Sequence, residues 1–179
     1  MAGKSTLAAK YLRQRLPIVN PDVIAFRLNP RRLEVPAILE AGKIAIRERT
    51  ALLDARQSFA IETTLSGNSE IRLMSDASSA GYKVNLVYVG LDLSKTSLAR
   101  VTHRVTMGEH SVPPEDILRR YPCSLKNLAG AMRLATRTLL IDNSGRGFRL
   151  LMIREAGRKP IVARMLPTWA QRAVPQELR

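Results

Sequence analysis

Residues 69–89 read SEIRLMSDASSAGYKVNLVYV, a helical pattern that ends at a glycine and leads into an apolar run. The spacing of apolar residues predicts a helix from Ser69 to about Ala80, with Gly81 as the C′ residue that ends it. Residues 83–89 are rich in β-branched and aromatic side chains, which is typical of a strand. This helix–glycine–strand unit indicates a fold in which helices and strands alternate.

The rest of the chain continues this alternation. The pattern predicts helices over residues 5–15, 33–55 (one long helix or two), 94–107, 113–121 and 124–136, strands over 16–20, 58–62 and 139–142, and a closing hairpin of 148–154 and 160–165. Such an order predicts an α/β fold with a mostly parallel sheet flanked by helices. Sheets of this kind bind ligands beyond the carboxyl ends of their strands. We expect one domain over residues 1–166, followed by a loose tail over 167–179.

Composition and charge narrow the class of protein. The 179 residues suffice for one domain with a full core, and only 4% of them are aromatic, so the core should be aliphatic. The net charge of +14 favours polyanionic partners such as nucleotides, nucleic acid or an acidic protein. A single cysteine, Cys123, excludes an intrachain disulfide and suits a reducing compartment. With no membrane-length apolar run and no signal sequence, we expect the protein in the cytoplasm.

The N-terminus carries a phosphate-binding motif in part. Gly3-Lys4-Ser5-Thr6 is the second half of the P-loop pattern G-x-x-x-x-G-K-[ST], and a helical pattern follows it at once. Lys4 would neutralise phosphate oxygens, and the Ser5 hydroxyl would bind Mg²⁺. Four residues alone also fit a plain helix start. Because only two residues precede Gly3, we expect either that the strand and first glycine lie upstream or that the site is damaged.

A polar loop follows the second predicted strand. Glu62 is succeeded by Thr63, Thr64 and Ser66, which together offer one carboxylate and three hydroxyls at a strand end. That set suits a sugar or another polyol, although a simple polar turn has the same composition.

Asp22 lies at the corresponding end of the first predicted strand. Its carboxylate could accept the proton of an attacking hydroxyl, as the base does in kinases. The alternative is a structural N-cap of a helix.

Arginines supply the remaining candidate chemistry. Arg100 and Arg104 are four residues apart on one predicted helix, so they can reach the same volume, and Arg119 and Arg120 follow later. Fixed guanidinium groups stabilise the charge that develops during phosphoryl transfer. For any single one of them, a surface salt bridge is the competing interpretation.

Taken in order, these motifs resemble the short, single-domain members of the zeta-toxin family over about residues 3–155. The matching elements are Gly3-Lys4-Ser5-Thr6, Asn20-x-Asp22, Phe59-x-x-Glu62-Thr-Thr-Leu-Ser-Gly67, Gly81-Tyr82-x-Val84, Arg100-Val101-x-x-Arg104-Val105, Gly108-x-His110-x-Val112-Pro113, Arg119-Arg120-Tyr121, Ser124-Leu125-x-Asn127-Leu128 and Asp142-Asn143-Ser144. Glu109 departs from the pattern, since short members usually carry a glycine there. The resemblance implies a three-layer P-loop kinase fold, here without its first strand.

The resemblance also implies an activity: phosphorylation of a sugar hydroxyl of UDP-N-acetylglucosamine by ATP with Mg²⁺. By position, the resemblance assigns ATP binding to Gly3, Lys4, Ser5 and Thr6, with Ser5 also binding Mg²⁺, and it places Asp142 and Asn143 near the nucleotide base. It makes Asp22 the general base that takes the proton of the hydroxyl. The transferring phosphate would be held by Arg100, Arg104 and Arg120, and the substrate by Glu62, Thr63, Thr64 and Ser66. It implies a small helical antitoxin as partner. Nucleic acid and membranes are not expected partners of such an enzyme.

Two other classes of protein fit parts of the sequence. The charge of +14 fits a non-catalytic nucleic-acid-binding protein, although 4% aromatic residues argues against base-stacking platforms. The incomplete P-loop fits an inactive remnant of a kinase.

Overall fold

A computed structural model describes residues 3–12, 15–29, 35–92, 114–145 and 147–179, and it shows a mixed α/β protein. The helices are α1 (Lys4–Tyr11), α2 (Pro21–Leu28), α3 (Val35–Asp54), α4 (Ser69–Ser79), α5 (Pro114–Leu134) and α6 (Thr168–Ala173), followed by a 3₁₀ turn (Gln176–Leu178). The strands are β1 (Ile18–Val19), β2 (Ala60–Ile61), β3 (Asn85–Gly90), β4 (Arg137–Asp142), β5 (Arg149–Glu155) and β6 (Ile161–Val162). The helix predicted over 94–107 lies outside the described residues.

The described strands form two sheets. Strands β1 and β2 pair in parallel, with Ile18 opposite Ala60 and Val19 opposite Ile61. The second sheet has the order β3-β4-β5-β6, in which β3 and β4 are parallel and the last two pairings are antiparallel. The expected mostly parallel sheet is therefore confirmed in part. The pairs β1–β2 and β3–β4, whose strands are separated by helices in the sequence, are parallel. The closing hairpin is confirmed.

The described residues divide into two compact units with separate cores. One unit is Lys4–Thr63, and its buried residues are Val19, Ile24, Ala25, Ala41 and Ala45. The other contains Gly3 and Thr64–Arg179, and its largest fully buried side chains are Leu128, Thr138, Leu140, Met132, Leu151, Met152 and Val174. Both cores are mainly aliphatic, as the composition predicts.

The helix before Gly81 and the strand after it agree with the prediction made from residues 69–89. Helix α4 ends at Ser79, and Gly81 adopts the left-handed backbone (φ 84°) that suits a glycine at C′. The Tyr82 N–H donates to Ala77 O at 2.9 Å, which closes the last turn. Strand β3 then begins at Asn85, two residues later than expected.

Helix α2 follows strand β1 directly and decides the alternatives for Asp22. Asn20 is its N-cap, with its side-chain Oδ1 accepting a hydrogen bond from the Asp22 N–H at 2.9 Å, and Pro21 takes the first helical position. The N-cap alternative for Asp22 is therefore wrong, because Asp22 lies inside the first turn. The Asn20-Pro21 pair is thus a helix start.

Helix α5 corrects the two helices predicted over 113–136. It runs unbroken through Pro122, although proline lacks the N–H that an interior helix position donates and costs about 3 kcal/mol there. The side chains after the proline explain its continuity: Ser124 hydrogen-bonds to Tyr88 OH at 3.0 Å, and Leu128 and Met132 are fully buried. Tertiary packing thus outweighs the local penalty.

The expected loose tail over 167–179 is also wrong. Trp169 in α6 is 4% exposed, and Ala170 and Val174 are completely buried, so this segment belongs to the core of Thr64–Arg179. Gly90 of β3 leaves the space that the Trp169 ring fills. Short elements of this kind are stabilised by what they bury rather than by their own sequence pattern.

Candidate functional site

Five polar residues, called here the Lys4 cluster, gather in the unit Lys4–Thr63. They are Lys4 and Ser5 in the first turn of α1, Asn20 and Asp22 after β1, and Glu62 after β2. Because β1 and β2 are parallel and Val19 pairs with Ile61, Asn20 and Glu62 leave the sheet at the same edge. This is the carboxyl edge at which α/β sheets bind ligands.

Glu62 is the hydrogen-bonding centre of the cluster. The Ser5 hydroxyl donates to Glu62 Oε1, and Asn20 Nδ2 donates to Glu62 Oε2 at 2.9 Å. Asn20 in turn accepts from the Asp22 N–H, so it links the two carboxylate residues. Both oxygens of Glu62 are engaged with protein, whereas Asp22 is exposed.

Nearby charges and burial have opposite effects on the pKa of Lys4. Burial lowers the pKa of Lys4, while the nearby carboxylates of Glu62 and Asp22 favour its ammonium form and act to raise that pKa. A half-buried cation beside two carboxylates and a helix N-terminus can neutralise the oxygens of a bound phosphate.

The cluster offers oxygen atoms, which Mg²⁺ prefers as ligands. The described part of the chain holds no group of three or more His, Cys, Asp or Glu side chains that could bind a metal ion. Mg²⁺ usually needs few protein oxygens when substrate phosphates supply the others. Ser5 fits such a site, because its hydroxyl donates a hydrogen bond to Glu62 and keeps the oxygen lone pairs for a cation.

The polar loop after Thr63 is held in one shape within the unit Thr64–Arg179. Asn127 of α5 donates through Nδ2 to Leu65 O at 3.0 Å and to Gly67 O at 3.1 Å. Leu65 has a positive φ of 56° and a buried side chain. The Thr64 and Ser66 hydroxyls, 2.8 Å apart, hydrogen-bond to each other on this fixed loop.

A second polar group, the Asp142 cluster, lies at the ends of β3 and β4. Asp142 Oδ1 accepts from Trp169 Nε1 at 2.9 Å and from Ser144 Oγ at 2.6 Å. Ser144 Oγ accepts in turn from the Asp92 N–H at 2.7 Å. Asp142 therefore fixes the turn after β4 and helix α6. Asn143 packs near Gly3: a Cβ added at Gly3 would lie 2.9 Å from Asn143 Nδ2.

Tyr121 of α5 lies beside this cluster. Its hydroxyl donates to Leu91 O at 2.7 Å. Burial, reinforced by Tyr88, Asp92 and Asp142, raises the pKa of Tyr121 to about 12.

This shift predicts a pH effect. Since an unfolded tyrosine has a pKa of about 10, the folded chain keeps the Tyr121 proton between pH 10 and 12 while the unfolded chain loses it. The free energy of unfolding should fall as pH rises through that window, and less steeply in Tyr121→Phe. Tyrosinate absorbance should show one late-ionising group fewer in Tyr121→Phe than in the control Tyr11→Phe, whose ring is exposed. Ionisation of Tyr121 near pH 10 would contradict the burial described.

The structure brings some predicted residues together and not others. Lys4, Ser5, Asp22 and Glu62 form one cluster, Thr6 is exposed on α1, and Thr63 is half-buried. Thr64, Ser66, Asp142 and Asn143 belong to the unit Thr64–Arg179, and Arg120 is half-buried on α5. Arg100 and Arg104 lie outside the described residues. Sequence reasoning assigned no role to Asn20, Asn127 or Trp169, although the Asn20-Pro21 pair is a helix-start signal.

Comparison with known proteins relates the chain to a bacterial protein. No model of a known protein family matches the chain, and no solved structure matches it. In the described residues, no helix is long and apolar enough to cross a membrane. An uncharacterized protein of Haemophilus influenzae is 33% identical over 120 residues, which cover 67% of this chain and 85% of that protein. The chain belongs to the same family as this Haemophilus influenzae protein.

Proposed function

We propose that the protein is an ATP-dependent kinase of the zeta-toxin type, with a P-loop kinase fold. Its acceptor would be a sugar hydroxyl of a nucleotide sugar such as UDP-N-acetylglucosamine. The observation that carries the proposal is the Lys4 cluster, in which Lys4 and Ser5 of the P-loop motif lie beside Asp22 and Glu62. A phosphate-binding lysine and a carboxylate base within one cluster are what phosphoryl transfer requires.

The phosphate side of the reaction falls to Lys4 and the start of α1. Backbone N–H groups at a helix N-terminus have no partner within the helix and favour an anion. Lys4 adds a full positive charge in surroundings where burial disfavours it. A bound phosphate would add its negative charge to those of Glu62 and Asp22 and favour the ammonium form of Lys4.

The acceptor side falls to Asp22, and the hydrogen bonds explain why Glu62 is not the base. Both Glu62 oxygens accept from protein groups, whereas the exposed Asp22 carboxylate is accessible to a substrate. Asp22 takes the proton of the acceptor hydroxyl while the oxygen of that hydroxyl forms a bond to the γ-phosphorus of ATP. The bond from that phosphorus to the β–γ bridging oxygen breaks, and ADP leaves with the electron pair.

Mg²⁺ would be held by Ser5 together with phosphate oxygens, and its charge would offset the negative charge of the transferring group. Glu62 accepts a hydrogen bond from the Ser5 hydroxyl and so orients its oxygen. Asn20 orients Glu62 in turn and ties it to the helix that carries Asp22. Glu62 and Asn20 are therefore positioning residues in this account.

The acceptor class rests on the polar loop after β2. Thr64 and Ser66 present hydroxyls on a backbone that Asn127 holds in place. Fixed hydroxyls and amides are suited to the hydroxyl groups of a sugar.

Removing the Lys4 ammonium tests the phosphate site. We expect Lys4→Ala to weaken ATP binding about 10- to 100-fold, the range expected for loss of a charged hydrogen bond. Lys10→Ala is the matched control, because Lys10 is an exposed lysine on the same helix, and it should bind ATP like the wild type. Isothermal titration calorimetry with Mg·ATP measures both, and equal affinities for the two variants would refute the phosphate site.

A further inference from the structure

A groove of about 610 Å³ lies in the C-terminal part of the unit Thr64–Arg179. We call it the C-terminal groove. Its lining runs from β6 through the following turn to α6 and includes three arginines, Arg149, Arg164 and Arg179. Among the residues that the structure describes, no aspartate or glutamate lines the groove. A concave surface of this composition attracts anions.

The carboxylates in this region are engaged elsewhere. Residues 149–179 contain seven lysines and arginines but only two acidic side chains. Glu155 forms an ion pair with Arg158 at 3.3 Å, and Glu177 pairs with Arg133 at 2.7 Å. Neither of them lines the groove, so no acidic side chain of the described residues offsets the charge of its three arginines there.

The groove arginines keep hydrogen-bond donors for a ligand. Each guanidinium group has five N–H donors. Arg149 donates from Nη2 to Met165 O at 3.3 Å, and Arg179 uses Nε and Nη2 on backbone carbonyls, including Val174 O. Among the described residues, these bonds leave Nη1 of Arg149 and of Arg179 without a hydrogen-bond acceptor. Arg164 is exposed and has no ion pair or side-chain hydrogen bond to the described residues.

We propose that the C-terminal groove binds a chain of phosphate groups, as in the backbone of single-stranded nucleic acid or in a free polyphosphate. Guanidinium groups bind phosphate oxygens in pairs, and fixed ones lose little freedom on binding. None of the described lining residues is aromatic, which favours recognition through phosphate over recognition through stacked bases. The net charge of +14 would speed the approach of such a ligand. The groove shares no lining residue with the Lys4 cluster, and the proposal does not depend on the proposed kinase activity.

Salt dependence of binding tests the groove. Fluorescence anisotropy with a labelled oligodeoxythymidylate should give a log–log slope against salt of about −2, since each phosphate contact contributes about −0.7. Arg164→Ala should make the slope shallower by about 0.7 and weaken binding about 10-fold at low salt. Arg172→Ala is the matched control, because Arg172 is exposed on α6 outside the groove, and it should change the affinity less than about twofold.

Competition with tripolyphosphate identifies the source of the phosphate. Binding of the oligonucleotide that weakens in Arg164→Ala supports a nucleic-acid ligand. Binding of tripolyphosphate alone, measured in the Lys4→Ala background so that the Lys4 cluster does not contribute, supports a small polyphosphate. Equal losses for Arg164→Ala and Arg172→Ala, or no binding of either probe, would overturn the proposal. Lys4→Ala should bind the oligonucleotide like the wild type, so failure of the groove and failure of the ATP site give different results.

Discussion

Asp22→Asn should lower the rate of phosphoryl transfer about 1000-fold while ATP still binds. The asparagine amide keeps the size of the carboxylate but cannot accept the hydroxyl proton, and general bases contribute typically 10² to 10⁴ in rate. The hydrogen bond that caps α2 survives, because it uses the Asp22 backbone N–H and not the side chain. A coupled assay of ADP formation under single-turnover conditions measures the loss.

Asp54→Asn is the matched control for this prediction. Asp54 is exposed at the end of α3 in the same unit, so its substitution makes the same charge change outside the Lys4 cluster. It should leave the rate within about twofold of the wild type. If Asp22→Asn transfers phosphate as fast as Asp54→Asn, Asp22 is not the base.

Gly90→Ala should destabilise the protein by about 3 kcal/mol, at the upper end of what overpacking costs. A Cβ at this position would lie 2.7 Å from Trp169 Cε2 and closer still to two other atoms of the indole ring. The ring cannot move aside easily, because Trp169 Nε1 donates to Asp142 and the ring is buried in the core. Chemical denaturation measured by circular dichroism gives the change.

A double-mutant cycle separates this clash from other causes. In a Trp169→Phe background, which removes the ring atoms nearest the new methyl group, Gly90→Ala should cost less than about 1 kcal/mol. Gly130→Ala should instead raise stability by about 0.5–1 kcal/mol, because Gly130 lies inside α5 and an added Cβ there meets nothing within 4 Å. The same cost for Gly90→Ala in both backgrounds would contradict the packing of α6 against β3.

Local signals in the sequence predict part of the fold. Gly81 and the apolar run after it define a helix end and a strand, because both depend on neighbouring residues. The structure around Pro122 and Trp169 could not be predicted in this way, because it does not depend on neighbouring residues. The continuity of α5 and the burial of α6 arise from contacts with residues far away in the chain, among them Tyr88, Gly90 and Asp142.

The candidate site is predictable to a similar extent. The motif order identifies Lys4, Asp22 and Glu62 as neighbours at a sheet edge, and parallel pairing of β1 with β2 brings them together. The link made by Asn20 is not evident from sequence, since it needs the hydrogen bond to Glu62 across 42 residues. The contact of Arg100 and Arg104 with the transferring phosphate stays a prediction, because both residues lie outside the described part of the chain.

The most direct test of the proposed kinase is the mass of UDP-N-acetylglucosamine after incubation with the protein, ATP and Mg²⁺. We predict that the nucleotide sugar gains one phosphoryl group on its sugar while ADP accumulates in equal amount, and that Asp22→Asn forms neither product at a comparable rate. An unchanged mass of the nucleotide sugar together with unconsumed ATP, from wild-type protein shown to be folded, would contradict the account.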